Sequence, residues 1–207
     1  MPTSYNQIAG QSVERLAALS YGIFAVAMTL LVLDLRVPLS DAVHTERDLL
    51  HALLAIAPQI VIYMMTFLTL GIFWVGQQTQ LSHLSRSERG LTWLHLAFLF
   101  AVTLMPFSTK LLAGFAAYRT ALLVYWANIV LLGATLYLTW VCAVRTALVK
   151  SDVSAEVIRA IRRRIAVAQS LYALGALLCI LSTRWSIVFI VLVQLNYAVG
   201  PRLGPRS

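Results

Sequence analysis

Residues 15–38 read RLAALSYGIFAVAMTLLVLDLRVP. No Asp, Glu, Lys or Arg falls between Arg15 and Asp34. A bilayer hydrocarbon core about 30 Å thick is crossed by about 20 apolar residues in a helix, so the stretch from Leu16 to Leu33 reads as a membrane span. It continues well past the apolar region of a signal peptide, and no A-x-A cleavage pattern follows, so it is read as a helix of the mature protein. The pattern recurs downstream, at about residues 52–75, 91–109, 121–144, 165–183 and 185–199. The expected fold class is therefore all-α, a polytopic membrane protein with six transmembrane helices in a single domain over residues 1–207.

Composition agrees. Of 207 residues, 60% are apolar and 12% charged, whereas a soluble domain carries about 25% charged residues. The net charge is +8, but the basic residues lie between the apolar runs, where the positive-inside rule accounts for them. Nucleic acid is not an expected partner. Eleven of the 16 Lys and Arg residues fall on the side shared by both termini and the second–third and fourth–fifth connections. Both termini are thus expected in the cytoplasm, with the protein multi-pass in the cell (plasma) membrane. Much of that excess is the run Arg159, Arg162, Arg163 and Arg164, which a helix from Ser154 would hold at the inner lipid surface. Anionic lipid contact near Arg162, Arg163 and Arg164 follows from that placement. Thr45 and Asp48 have the spacing of a capping box for the second helix, and Pro58 is expected to kink it.

The chain carries no enzyme constellation: no H-E-x-x-H, no Gly-rich phosphate loop, no G-x-S-x-G and no paired carboxylates inside a span. No metal and no cofactor is expected, and Cys142 and Cys179 read as buried free thiols. His51, His83 and His95 are scattered near helix ends. A proton-coupled transporter would normally hold an ionisable residue within a span, and a T-V-G-Y-G filter is absent.

Four segments carry a resemblance. Arg15 and Ser20 fit R-x-x-x-F-S-D, with Leu19 and Tyr21 in place of Phe and Asp. Phe73-Trp74-Val75-Gly76 is followed by Gln77 and Gln78, where F-W-x-x-H-H has histidines. Residues 89–96, RGLTWLHL, are similar to R-x-L-x-W-x-N-L with His95 at the Asn position. Residues 104–109, LMPFST, match L-x-P-F-S-T. Over about residues 13–145 the chain thus resembles the transmembrane protein 175 family of lysosomal and prokaryotic potassium channels.

That resemblance implies a prokaryotic single-repeat member: a homotetramer in which the first helix lines a central pore conducting K+; with no ring of carbonyls or carboxylates at that depth, the expected preference over Na+ is modest. It implies that the first helix is tied down by the positions here held by Tyr21, Gln77, Trp93 and His95. A carboxylate–imidazole network cannot form from these residues, although a neutral one of Tyr, Gln and His can. Unrelated interfacial polar residues would give the same letters. The pore positions carried over are Val26, Thr29 and Leu33 as the constriction, with Gly22 keeping the inner side wide. At about 100° per residue these share a stripe with Arg15 and Leu19. Helix packing is the plain alternative for Val26 and Leu33, and a hydroxyl bonded back to the Ala25 carbonyl for Thr29. Asp34 lies off the stripe, with an interfacial partner such as Arg36 expected. Trp74, Trp93, Trp126, Trp140 and Trp185 read as aromatic belts. The competing function is a secondary carrier or proton pathway in a small homo-oligomer.

Overall fold

The computed structural model describes residues 12–35 and 43–199. Arg36, Arg202 and Arg206, which entered the partner and orientation readings above, lie outside the described residues. Among the described residues seven α-helices form: α1 Val13–Leu30, α2 Glu46–Ser82, α3 Arg89–Thr103, α4 Met105–Gly114, α5 Arg119–Arg145, α6 Ala155–Leu177 and α7 Thr183–Val199. α3 and α4 are two halves of one rod interrupted at Leu104, where Pro106 at the start of α4 cannot continue the α3 ladder. Six helical columns therefore cross the bundle, and no strand pairs occur among the described residues beyond an isolated bridge between Leu84 and Val149.

Five columns are long and apolar enough to cross a membrane. The last, α7, has 17 residues as described, at the lower end of what a span requires, about 17–25. α2 has 37 residues and, at 1.5 Å per residue, is about 55 Å long, so it overshoots the hydrocarbon core. It runs as one helix through Pro58. Its start is fixed by a reciprocal capping box: Asp48 N–H donates to Thr45 Oγ1 at 3.2 Å and Thr45 N–H to Asp48 Oδ2 at 3.0 Å. Ser154 Oγ caps α6 by accepting from Val157 N–H.

The main core fills the bundle from Phe24, Met65, Leu70, Phe98, Leu122, Tyr125, Ile129, Leu132, Tyr172 and Ile190. A second cluster of Leu81, Leu84, Leu91, Trp140 and Leu148 closes the end that holds the α2–α3 and α5–α6 connections. Those two connections are pinned together, Lys150 Nζ donating to the Ser82 carbonyl at 2.7 Å and Lys150 N–H to the His83 carbonyl at 2.9 Å. α6 and α7 approach closely at Gly175, where a Cβ would stand 2.8 Å from Ile190 Cγ1. α1 packs chiefly on α3 and α2 and stands at the margin of the bundle.

Candidate functional site

α1 has two faces of different fate. Leu16, Ser20, Phe24 and Ala27 are buried against the bundle, followed by Leu31 in the 3-10 turn Leu31–Asp34 that ends the helix. Their spacing of three and four is that of a helix stripe facing a core. Phe24 sits 6.0 Å from the Phe98 ring, which in turn lies 6.4 Å from Phe73, so one aromatic from each of α1, α3 and α2 meets at a point.

One turn toward the N-terminus, polar groups replace the aromatics. Ser20, Gln77 and His95 are all at or below 1% exposure. Ser20 Oγ lies 2.7 Å from the Leu16 carbonyl and 2.8 Å from His95 Nε2. Gln77 Nε2 donates to Ser20 Oγ at 2.7 Å and stands 3.1 Å from His95 Nε2. The single hydroxyl proton of Ser20 serves either Leu16 or His95, and the His95 tautomer adjusts to match. Gln78 Nε2 donates to Gln77 Oε1 at 3.1 Å, and Tyr21 O–H donates to Gln78 Oε1 at 3.1 Å. Adjacent residues of α1 thus hold α2 and α3 through neutral hydrogen bonds. Gln78, named beside Gln77 in the motif but not grouped with the anchor, completes the link. Trp93, grouped with Gln77 and His95 from the resemblance, points the other way: it is 62% exposed and takes no part in these bonds.

The opposite face of α1 is turned away from the bundle. Arg15, Leu19, Gly22, Val26, Thr29 and Leu33 are all exposed, Val26 at 57% and Leu33 at 74%. A Cβ added to Gly22 would meet no atom within 4 Å, so internal packing does not demand glycine there. The α-helix closes at Leu30 and tightens, so Leu33 stands on the 3-10 turn rather than on a continued α-helix. Thr29 Oγ1 bonds to the Ala25 and Val26 carbonyls, each at 2.9 Å. The hydroxyl proton is committed to the backbone, which leaves the oxygen lone pairs to face outward. That is the polarity a cation needs, so the backbone bond and an ion contact are compatible.

Beyond this face, Asp34 pairs with Lys110 Nζ of the neighbouring α4 at 2.9 Å; Arg36, the partner expected from sequence, lies outside the described residues. Trp140 is no belt residue: it is fully buried, and its Nε1 donates to the Ile158 carbonyl at 3.3 Å. Cys142 and Cys179 are free thiols, but only Cys179 is fully buried.

A polar cluster that sequence reading missed lies deeper in the subunit. Thr66 Oγ1 contacts Thr109 Oγ1 at 2.9 Å, Thr69 Oγ1 contacts Tyr125 O–H at 3.1 Å, and Gln194 Nε2 donates to Thr69 Oγ1 at 2.6 Å. It ties α2, α4, α5 and α7 together. The available signal was Thr66 and Thr69 at helical spacing within an apolar run, the usual mark of an interhelical contact in lipid.

Comparison with known proteins bears on this geometry. The profile of the endosomal/lysosomal potassium channel TMEM175 family matches residues 15–106. A potassium channel of Streptomyces collinus is 34% identical over 188 residues, spanning 88% of this chain and 90% of that protein. The mouse endosomal/lysosomal proton channel TMEM175 is 29% identical over 123 residues, 56% of this chain and 24% of that one. The crystal structure of a lysosomal potassium-selective channel TMEM175 homologue from Chamaesiphon minutus superposes with a TM-score of 0.79 at 25% identity, covering 90% of this chain and 96% of that one.

Proposed function

Because the chain belongs to the TMEM175 channel family, we propose that it is a potassium-permeable cation channel whose pore is lined by the free face of α1. The observation that carries this reading is the division of α1: one face is tied to α2 and α3 through Ser20, Gln77 and His95, and the other is unpartnered. A single subunit encloses no path there. Several copies arranged with these faces inward would, and one six-column unit per chain suits a homotetramer.

In such a ring, Val26 and Leu33 form apolar girdles on either side of Thr29. Along the axis, Val26 stands about 4.5 Å from Thr29, three residues at 1.5 Å each. Girdles of this kind stop hydrated ions by dewetting unless they widen. The outward lone pairs of Thr29 replace part of the water shell, and no carboxylate or carbonyl ring sits at that level among the described residues. The preference for K+ over Na+ is therefore modest. Gly22 leaves the inner approach open, and no bound cofactor is needed.

Both termini lie in the cytoplasm and the plasma membrane holds the channel, a placement supported by the distribution of basic residues. The name of the mouse relative favours a second reading, in which protons also pass. Purified protein in liposomes tests both. Reversal potentials under opposed K+ and Na+ gradients should lie modestly to the K+ side. A flux that saturates and couples to a pH gradient would favour a carrier instead.

A further inference from the structure

The basic run at the start of α6 divides into two parts. Arg162 is turned onto α5, with its Nη2 donating to Tyr137 O–H at 3.2 Å and its guanidinium carbon 5.8 Å from the Tyr137 ring centroid. Arg159, Arg163 and Arg164 are not so engaged. They line a groove of about 710 Å³ between the start of α6 and the end of α7, with Glu156 at one end and Val167 and Tyr197 along its walls. None of the three is ion-paired among the described residues, where Asp34–Lys110 is the ion pair found. Glu156 is the lone carboxylate in the groove, so the lining carries an excess of positive charge.

We propose that this groove binds the headgroup of an anionic phospholipid of the inner leaflet. The inference deepens the placement given above and rests on this end of the bundle facing the cytoplasm. Three features select a lipid over other anions. Arg163 and Arg164 stand immediately before Ile165, where the apolar run begins, with Arg159 one turn further out, which suits phosphate depth with the stems along hydrocarbon. Arginine presents a planar fork that matches two oxygens of a phosphate. The groove continues from the arginines onto Val167, so its occupant needs an apolar chain next to its charge. The fourth arginine of the run, Arg162, is turned to Tyr137 and does not line the groove.

The test uses the assembled protein in nanodiscs of phosphatidylcholine mixed with phosphatidylglycerol, with retained lipid counted by native mass spectrometry. Phosphatidylglycerol should be enriched on the protein over phosphatidylcholine, and inorganic phosphate should not displace it. A basic residue at a membrane surface contributes about fivefold in affinity for anionic lipid. Each of Arg159→Gln, Arg163→Gln and Arg164→Gln should thus weaken retention about fivefold, and the triple variant on the order of a hundredfold. Arg162→Gln should retain the lipid. Equal retention of both lipids, displacement by phosphate, or a loss in Arg162→Gln as large as in the other single variants would overturn the proposal. Unfolding in neutral detergent checks each variant, and the single variants decide if the triple does not fold. Reporter fusions at the termini test the orientation separately, and lipid retention is read without any current, so a failed pore assignment would be told apart.

Discussion

Replacing Gln77 by Leu removes the hub of the α1 anchor while nearly conserving volume. Gln77 is 1% exposed and donates to Ser20 at 2.7 Å, contacts His95 at 3.1 Å and accepts from Gln78 at 3.1 Å. Ser20 keeps Leu16 and His95 as partners, and the half-buried Gln78 amide loses its acceptor where water reaches it, so no fully buried group is stranded. The loss is therefore that of two to three buried hydrogen bonds at about 1 kcal/mol each, or about 2–3 kcal/mol. Removing the remaining polar partners should recover part of it, because apolar groups of similar shape replace a satisfied network at little cost. The triple variant Ser20→Ala, Gln77→Leu, His95→Phe should thus be destabilised by less than the sum of its single variants. Titration of the micelle-solubilised protein with a denaturing detergent measures each difference. Flux in liposomes should also rise or fall in Gln77→Leu, since a loosened α1 changes the constriction. A Gln77→Leu variant within about 0.5 kcal/mol of the parent, or strict additivity in the triple, would refute the anchor.

Thr29→Val, which removes the hydroxyl at nearly constant volume, should lower conductance and change the K+ to Na+ ratio in bi-ionic recordings, while Val26→Ala should widen and wet the girdle and raise basal current with less change in selectivity. Ala147 holds a φ of 53° as the left-handed residue of a Schellman cap, where Leu148 N–H bonds the Ala143 carbonyl at 2.9 Å. Ala147→Gly should therefore stabilise the protein by about 0.5–1 kcal/mol in the same titration. Gly175→Ala should destabilise by about 1–3 kcal/mol, because its methyl would stand against Ile190 and push α6 from α7.

Much of the fold was legible because a bilayer imposes length and apolarity on each column. The interruption of the third column at Leu104 is invisible to hydropathy, which stays apolar across it; the sign of the break is Pro106 in the L-x-P-F-S-T motif. Hydropathy placed α1 but could not orient it, since most of its residues are apolar and any face would do. The buried face emerges only from contacts with Gln77, His95 and Phe98, all distant in sequence. Ser20, Gln77, Gln78 and His95 all stand at motif positions, but that Gln78 bridges Tyr21 to Gln77 is visible only in the side-chain geometry. Trp140 and Trp93 show the limit plainly: both are tryptophans near span ends, yet one fills the core and the other is exposed.

Cysteine accessibility along α1 during ion flow tests the central assignment most directly. With Cys142 and Cys179 replaced by Ala, Val26→Cys and Thr29→Cys stand on the free face and Phe24→Cys and Leu31→Cys on the buried one, Phe24 and Leu31 each being 2% exposed. A charged, water-soluble thiol reagent should block current through the first pair and leave the second unaffected. Block confined to Phe24→Cys and Leu31→Cys, with Val26→Cys and Thr29→Cys conducting unchanged after reagent, would place the pore on the other face of the helix and contradict the account.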